Sequence, residues 1–273
     1  MPFEGAPIDR SRAGAWAAYA SFYGRALSSH LEYAMAVWIN LLAMAGGFAF
    51  TIMVWHYAYP AGPEAPRFFA YLTLAFALNF TLSMAFERYV GERIREGLIA
   101  TDLLKPVDYT WLFFFQAASD VTFQAIFALA VVLAALPFFG AALAPASMMA
   151  LGLAGVSVLL ALWVQFHLGF AFVQMIFATN SNYGPFTLRM LCHTAFAGLF
   201  APLDIYPPLF QHIAMSLPFR HVIYTPIAIY QGRIVGDDVW WALGSQVLWG
   251  AILFAGSRIS FSIIRRYLTI QGG

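Results

Sequence analysis

Six long apolar runs constrain this sequence more than any other feature. A helix needs about 20 predominantly apolar residues to cross the hydrocarbon core of a membrane. Six runs in the chain meet or approach that length, and together they predict an all-α, polytopic membrane protein. They lie near Tyr33–Trp55, Phe68–Phe86, Trp111–Phe139, Ser147–Val173, Phe186–Ala201 and Val239–Ile263, and the fifth is short.

The composition supports the same class. Hydrophobic residues make up 62% of the 273 residues and charged residues only 10%, whereas soluble domains carry about 25% charged residues. There is no internal repeat, so we expect a single transmembrane domain over residues 1–273 with no soluble catalytic domain. The net charge of +1 gives no reason to expect a nucleic-acid partner. The polar N-terminus does not have the pattern of a cleaved signal peptide.

The positions of lysine and arginine predict the orientation in the membrane. With the N-terminus in the cytoplasm, eleven of the 14 basic residues fall on the inner side, and only Arg67, Arg220 and Arg233 fall outside. Cytoplasmic loops are enriched in Lys and Arg. We therefore expect both termini and the loop Glu87–Tyr109 to lie in the cytoplasm, as in a multi-pass protein of the bacterial inner membrane.

The segment before the first run, residues 11–30, has the pattern of an amphipathic helix. Trp16, Ala20, Tyr23 and Leu27 recur at helical spacing, and the arginines lie off that stripe. Such a helix would lie in the inner membrane interface. The alternative is a simple anchor with no further function.

A charged segment, Glu87–Tyr109, interrupts the apolar runs and holds nine of the 27 charged side chains. An ionised group in lipid costs several kcal/mol, so we expect this segment to face water. Val90, Ile94 and Leu98 form an apolar face at helical spacing, Pro106 ends any helix, and Asp108 can cap the next one. The pattern predicts a short helix tied to two spans, the shape of a lever; an ordinary solvated loop is the alternative.

A second unusual segment, residues 203–234, is too apolar for a free loop and too broken for a span. Prolines at 207, 208, 218 and 226 exclude one straight helix. Irregular backbone at membrane depth must be buried in protein or line water. The segment is therefore predicted to enter the outer leaflet and return as a re-entrant element, with a packed cap that has no gating role as the alternative.

Polar residues inside the runs suggest two further sites. Gln116, Asp120 and Gln124 share one helical face, which predicts either the lining of a substrate cavity or hydrogen bonding between packed helices. His167 and His193 are candidate haem ligands, although buried histidines more often serve packing. An intramembrane haem or enzyme protein, and a passive channel, are therefore the alternatives to a transporter.

The sequence also excludes some chemistry. The single cysteine, Cys192, rules out an intramolecular disulfide and a cysteine metal cluster, and we expect no metal site and no cofactor in this chain. A P-loop needs a lysine after a glycine-rich turn. The only lysine, Lys105, follows two leucines and precedes a proline, so ATP hydrolysis would require another polypeptide.

Three stretches of the chain resemble a known family. The stretch ERYVGERIREGLIATDLLKPVDY, the outer stretch FAPLDIYPPLFQHIAMSLPFRHVIYTPIAIYQGRI and the C-terminal RRYLTIQGG are similar to permeases of ATP-binding-cassette (ABC) exporters of the type-two superfamily, the six-span bacterial group. The resemblance extends over essentially the whole chain. Its outer motif is matched, as candidate outer-gate residues, by Pro202, Tyr206, Pro207, Pro218, Phe219, Tyr224 and Pro226.

The resemblance implies a permease that works with a cytoplasmic ABC ATPase dimer, which would bind ATP and Mg²⁺, and with a second permease subunit in the lipid bilayer. The loop after the second span would be a coupling helix that docks on the ATPase. The coupling positions carried over are Glu87, Arg88, Gly91, Arg93, Ile94, Gly97, Asp102, Leu104, Lys105, Pro106 and Asp108. The expected activity is export of a hydrophobic or amphipathic substrate by alternating access.

Overall fold

The computed structural model describes residues 12–32, 34–83, 86–98 and 108–267. This part of the chain is helical and contains no strand, which confirms the all-α class for it. Three short 3₁₀ helices join the α-helices. The α-helices are α1 (Arg12–Glu32), α2 (Ala34–Ala58), α3 (Ala65–Thr81), α4 (Phe86–Arg95), α5 (Tyr109–Phe139), α6 (Met148–Gln174), α7 (Ile176–Thr179), α8 (Tyr183–Phe196), α9 (Pro208–Ser216), α10 (Tyr224–Tyr230) and α11 (Asp237–Tyr267).

Four stretches of the described residues are long and apolar enough to cross a membrane, namely Ala65–Arg95, Tyr109–Leu143, Met148–Thr179 and Asp237–Ile263. The apolar part of α2, Leu42–Ala58, is shorter than these four stretches. Helix α8 has 14 residues, about 21 Å at 1.5 Å per residue, less than a hydrocarbon core of about 30 Å. The chain is a multi-pass membrane protein, while the count of six spans stays a prediction.

Local sequence signals set the ends of the long helices. The Asp108 carboxylate accepts hydrogen bonds from the backbone N–H groups of Thr110 and Trp111, which confirms the predicted cap of α5. At the other end, Gly140 has a φ of 42°, a conformation that favours glycine. The Ser147 hydroxyl accepts a hydrogen bond from the Ala150 N–H and so caps the start of α6.

The helices pack around one main apolar core. Helix α3 lies along α5, α6 lies along α11, and α10 covers α6. The Tyr71 hydroxyl of α3 is fully buried and donates to the Gly198 carbonyl at 2.7 Å. This core therefore joins α3 and α6 to residues 203–234, which we call the outer segment. It includes Phe68, Leu72, Val164, Leu168, Leu203, Phe219 and Ile223.

Helix α1 lies along α5, a contact that the sequence pattern did not indicate. Tyr19 is buried, stacks on Phe115 with ring centroids 5.4 Å apart, and accepts a hydrogen bond from the Asp108 N–H at 3.0 Å. Trp16 and Ala20 of the predicted stripe are exposed. The packing face is thus centred on Tyr19, and Trp16 remains available to lipid.

Candidate functional site

Helix α4 occupies the first part of the predicted coupling segment and has two distinct faces. On the inner face, Val90 is buried in a second apolar cluster with Phe113 of α5 and Phe166 of α6, and Ile94 packs against that cluster. On the opposite face, Arg88, Glu92 and Arg95 are exposed. One side of α4 is therefore fixed in the helix bundle, while the other presents charges to a partner or to water.

The expectation that Glu87 faces water is wrong. Its side chain is 4% exposed, and its Oε2 lies 2.7 Å from Nε of Arg189 in α8. Isolated buried charges are costly, and a close opposite charge is what allows a carboxylate to remain ionised inside protein. Glu87 is thus a joint between α4 and α8 rather than a surface contact for a docking subunit.

Two glycines permit the close approach of α4 to its neighbours. A Cβ added at Gly169 of α6 would lie 2.3 Å from Oε1 of Glu87. A Cβ added at Gly91 of α4 would lie 2.9 Å from Oδ1 of Asn182. Contacts this short do not occur for real Cβ atoms, so a larger residue at either position would force the Glu87 or Asn182 side chain out of its place. We call this contact region, Glu87 and Gly91 against Gly169, Asn182 and Arg189, the α4 joint.

A cavity of about 470 Å³ opens beside the α4 joint, between α4 and the turn that precedes α8. It combines charged groups from α4 with the amides of the turn and with exposed aromatic rings. It lies against the described candidate coupling residues of α4 and is lined by Arg88, Glu92, Arg95, Asn180, Asn182, Tyr183 and Phe186.

The other predicted coupling residues divide into three groups. The Arg93 guanidinium lies 5.4 Å from the centre of the Tyr89 ring, and Gly97 is exposed in the turn after α4 with a φ of 71°. Asp108 pairs with Arg258 of α11 at 2.6 Å. The remaining predicted positions, Asp102, Leu104, Lys105 and Pro106, lie outside the described residues.

The candidate translocation residues do not share a cavity among those found in the described part of the chain. Gln116 lines a cavity between α1, α4 and α5. Asp120 is buried at 3% exposure. Gln124 is half-buried, and its Oε1 has no hydrogen-bond partner in the described part of the chain. Their role in a substrate path therefore stays a prediction.

The candidate outer-gate residues separate into a buried and a peripheral set. Pro202, Pro218, Phe219, Tyr224 and Pro226 are buried, whereas Tyr206 is half-buried and Pro207 is exposed. The prolines begin or flank short helices: α9 starts at Pro208, and a 3₁₀ helix starts at Pro218. The segment is thus broken as predicted.

An ion pair joins the two ends of this outer segment. Asp204 near its start pairs with Arg233 near its end at 3.1 Å, and it accepts a hydrogen bond from the Tyr224 hydroxyl. Burial, followed by the hydrogen bond to Asp204, raises the pKa of Tyr224 above its usual value. Tyr224 therefore keeps its proton and acts as a donor at neutral pH.

A polar network that the sequence did not indicate attaches the outer segment to two long helices. The Gln246 amide of α11 donates to the carbonyls of His221 and Ser157 at 2.9 and 3.1 Å, and its Oε1 accepts from the Ser157 hydroxyl at 2.8 Å. All three residues are fully buried. Burial, with a smaller effect of Arg220, lowers the pKa of His221 to about 3, so this histidine is neutral.

The two histidines considered as haem ligands contact different partners. Nδ1 of His167 lies 3.3 Å from the Ser257 hydroxyl, and Nε2 of His193 lies 3.0 Å from Oδ1 of Asn79. Within the described residues no group of three or more His, Cys, Asp or Glu side chains is placed to hold a metal ion. These contacts are those of packing residues and give the haem alternative no support.

Sequence reasoning missed Arg189, Gly169 and Asn182, which complete the α4 joint, and Gln246, which holds the outer segment. Arg189 is the one with a usable signal, because a lone arginine near an apolar run suggests a buried acidic partner. The glycine and the two amides carry no such local signal.

Comparison with known families gives a match over most of the chain. The sequence model of the family described as ABC-2 family transporter protein matches residues 36–272. A search of curated proteins finds no match.

Proposed function

Because the chain belongs to the ABC-2 family of transporter proteins, we propose that it is the permease subunit of an exporter driven by a separate ABC ATPase. The family is a membrane transport component and not itself an enzyme. The cargo would be a hydrophobic or amphipathic compound that enters from the inner side.

The α4 joint is the observation that carries the proposal. A force applied to the exposed face of α4 would reach α6 and α8 directly, because Glu87 is paired with Arg189 at 2.7 Å and pressed against Gly169. Packed interfaces of this kind move between discrete arrangements rather than deforming continuously. Closure of the ATPase would therefore shift α4 together with the inner ends of α6 and α8.

The exposed charges of α4 are the proposed contact with the ATPase. Arg88, Glu92 and Arg95 lie opposite the buried Val90, and the cavity beside them offers space for a side chain of the partner. Complementary charges set the orientation and rate of docking more than its final affinity. ATP and Mg²⁺ would bind to the partner, because the only lysine, Lys105, does not follow a glycine-rich turn.

The outer segment would form the cap on the exit side. Ser157 lies nine residues after the start of α6, and Gln246 lies nine residues after the start of α11, which is about 14 Å along each helix axis. With 31 residues, α11 is about 46 Å long and would extend about 8 Å beyond a 30 Å hydrocarbon core at each end. The His221 carbonyl, which Gln246 binds, would then lie about 6 Å inside the outer surface of that core. This depth supports a re-entrant element, with Pro218, Phe219 and Tyr224 in its buried part.

We further propose six spans with both termini in the cytoplasm of a bacterial cell, and pairing with a second permease of the same or a related kind. A cavity that opens alternately to the two sides would form between the paired subunits. Apolar side chains exposed on α2 and α8, such as Phe50 and Leu191, have to be covered by lipid or by that second subunit.

Co-purification with the ATPase tests the docking surface. We expect the double variant Arg88→Ala/Arg95→Ala to reduce the recovered ATPase several-fold while the permease still inserts in the membrane. Arg67→Ala, an exposed arginine at the opposite end of the bundle, is the matched control and should retain the ATPase. Unchanged recovery with the double variant would show that α4 is not the docking element.

Chemical labelling tests the orientation separately. The native cysteine is first replaced by Cys192→Ser, and a new cysteine is placed at the exposed position Glu96. In intact cells an impermeant thiol reagent should leave this cysteine unlabelled until the membrane is opened. Labelling from outside would place α4 on the wrong side for an ATPase.

A further inference from the structure

A second cavity lies between the amphipathic helix α1, helix α4 and the first turns of α5. Its volume is about 240 Å³. Its lining combines one cationic side chain with mainly apolar ones, a combination that suits an amphipathic ligand. Its lining includes Arg25 and Ala26 of α1, Tyr89 of α4, and Leu112, Phe113 and Gln116 of α5.

Arg25 supplies the charge. Its guanidinium carbon lies 4.6 Å from the centre of the Phe22 ring, and Nη2 lies 3.5 Å from the Ser21 hydroxyl. Among the residues that the structure describes, it makes no ion pair with a carboxylate. Arginine stays charged at all physiological pH values and binds phosphate oxygens through its planar fork of N–H groups. The cavity therefore holds a cation that is free to bind a phosphate.

The walls favour a lipid over a free phosphate ion. Leu112 and Phe113 are buried at 4% and 2% exposure and form the inner wall with the aromatic ring of Tyr89. An acyl chain would contact these apolar side chains and cover the Tyr89 ring, which is 43% exposed, while the Gln116 amide can donate to an ester or phosphate oxygen. The volume accommodates the upper part of one chain rather than a whole lipid.

The position along α5 fits the same ligand. Gln116 lies seven residues after Tyr109, the first residue of α5, about 10 Å along the helix axis. In the proposed orientation this depth is the boundary between headgroups and acyl chains, where amphipathic helices lie. Trp16 of α1 is 59% exposed, as expected for an aromatic side chain at that boundary.

We propose that this cavity binds an acidic phospholipid of the inner leaflet. The phosphate lies on Arg25, and the glycerol end of one acyl chain lies against Leu112 and Phe113. The proposal rests on the orientation given under the proposed function. Because Tyr89 belongs to α4, the bound lipid contacts the coupling helix itself, and its occupancy would favour the position of α4 seen here.

Native mass spectrometry of the full-length permease in detergent tests the site. The protein is titrated with phosphatidylglycerol or with phosphatidylcholine of the same chains. A basic residue near an anionic surface contributes about 1 kcal/mol, so Arg25→Gln should lose about fivefold in affinity for phosphatidylglycerol and become unable to distinguish the two lipids. Arg25→Lys should keep the preference, and Arg67→Gln, which removes the same charge at the other end, should behave as wild type.

A second variant tests the cavity itself. Ala26→Phe keeps Arg25 but fills the space beside it, and it should also weaken phosphatidylglycerol binding; its melting temperature verifies that the protein is folded. Equal affinity of Arg25→Gln and wild type for phosphatidylglycerol would overturn the proposal. So would undiminished binding to Ala26→Phe, or displacement of the lipid by inorganic phosphate at equal concentration, which would indicate an anion site without a lipid. None of these measurements involves the ATPase, so a failure here is separable from a failure of docking through α4.

Discussion

Asp108 binds Arg258 at 2.6 Å while the same carboxylate caps α5. Its backbone N–H donates to the Tyr19 hydroxyl, so α1, α5 and α11 meet at one residue. Glu87 makes the corresponding contact at the other end of the charged segment, where it pairs with Arg189 of α8. Both ends of the charged segment are therefore anchored to helices distant in sequence.

We expect the two roles of Asp108 to separate in a pair of variants. Asn caps a helix about as well as Asp, so Asp108→Asn should lose only the ion pair. Because both partners are about a third or more exposed, solvent screening limits that loss to less than about 1 kcal/mol. Asp108→Ala also removes the cap and should cost about 1 kcal/mol more. Thermal denaturation in detergent measures the difference.

Arg258→Gln provides the reciprocal measurement for this pair. It should destabilise the protein by about as much as Asp108→Asn, and the double variant by little more than either single change. If Asp108→Asn proved as damaging as Asp108→Ala, the ion pair rather than the helix cap would be the main contribution.

Glu87→Gln should have a larger effect, because it removes the buried partner of the pair and leaves Arg189, whose side chain is only 13% exposed, without its counter-charge. Removing one partner of a buried pair costs about 3–5 kcal/mol. Glu92→Gln, an exposed carboxylate on the same helix, is the matched control and should change stability by less than about 0.5 kcal/mol. In the assembled transporter, Glu87→Gln should also uncouple ATP hydrolysis from transport, measured as ATPase activity that no longer responds to cargo. Equal melting temperatures for the two variants would contradict the role of the α4 joint.

Much of the helical framework could be predicted from the sequence. The runs at Trp111–Phe139, Ser147–Val173 and Val239–Ile263 coincide with α5, α6 and α11 within a few residues, because charged or capping residues bound each apolar run. The second run, Phe68–Phe86, extends past the end of α3 at Thr81. Helix α8 begins before the predicted fifth run and ends at Phe196, five residues short of it.

The α4 joint could not be predicted, for a physical reason. The spacing of Val90 and Ile94 identified the apolar face of α4. A spacing pattern, however, assigns every carboxylate to the side that faces water. Glu87 is buried because Arg189, about a hundred residues later, neutralises it. Tyr19 was missed for a similar reason, since its burial depends on Phe115 and Asp108 rather than on the spacing of apolar residues within α1.

Gln246→Leu should loosen the outer segment. The change is close in size but leaves the His221 carbonyl and the Ser157 hydroxyl, both buried, without the partner seen here. Each buried polar group left unsatisfied costs about 1–3 kcal/mol. Val247→Leu, at an exposed neighbouring position, should be nearly neutral. Hydrogen exchange of residues 218–229 is the sharper measurement, because faster exchange there with Gln246→Leu alone would locate the effect in the outer segment; unchanged exchange would mean that Gln246 does not hold it.

Gly169→Ala adds one methyl group between α6 and α4 and so tests how closely the two helices pack. The new Cβ would lie 2.3 Å from Oε1 of Glu87, so the Glu87 side chain has to leave its place beside Arg189, and overpacking of this kind costs about 1–3 kcal/mol. Gly152→Ala, on the same helix with no atom within 4 Å of the added Cβ, should instead be neutral or stabilise the protein, since Ala is the better helix former.

The combination of Gly169→Ala with Glu87→Ala identifies the cause of the Gly169→Ala effect. Glu87→Ala removes the carboxylate that the methyl group would strike, so the double variant should be no less stable than Glu87→Ala alone, and the two losses should not add. Thermal denaturation of the three proteins gives the coupling. Additive losses would mean that Gly169→Ala acts on α6 alone, and that α4 does not depend on the space above this glycine.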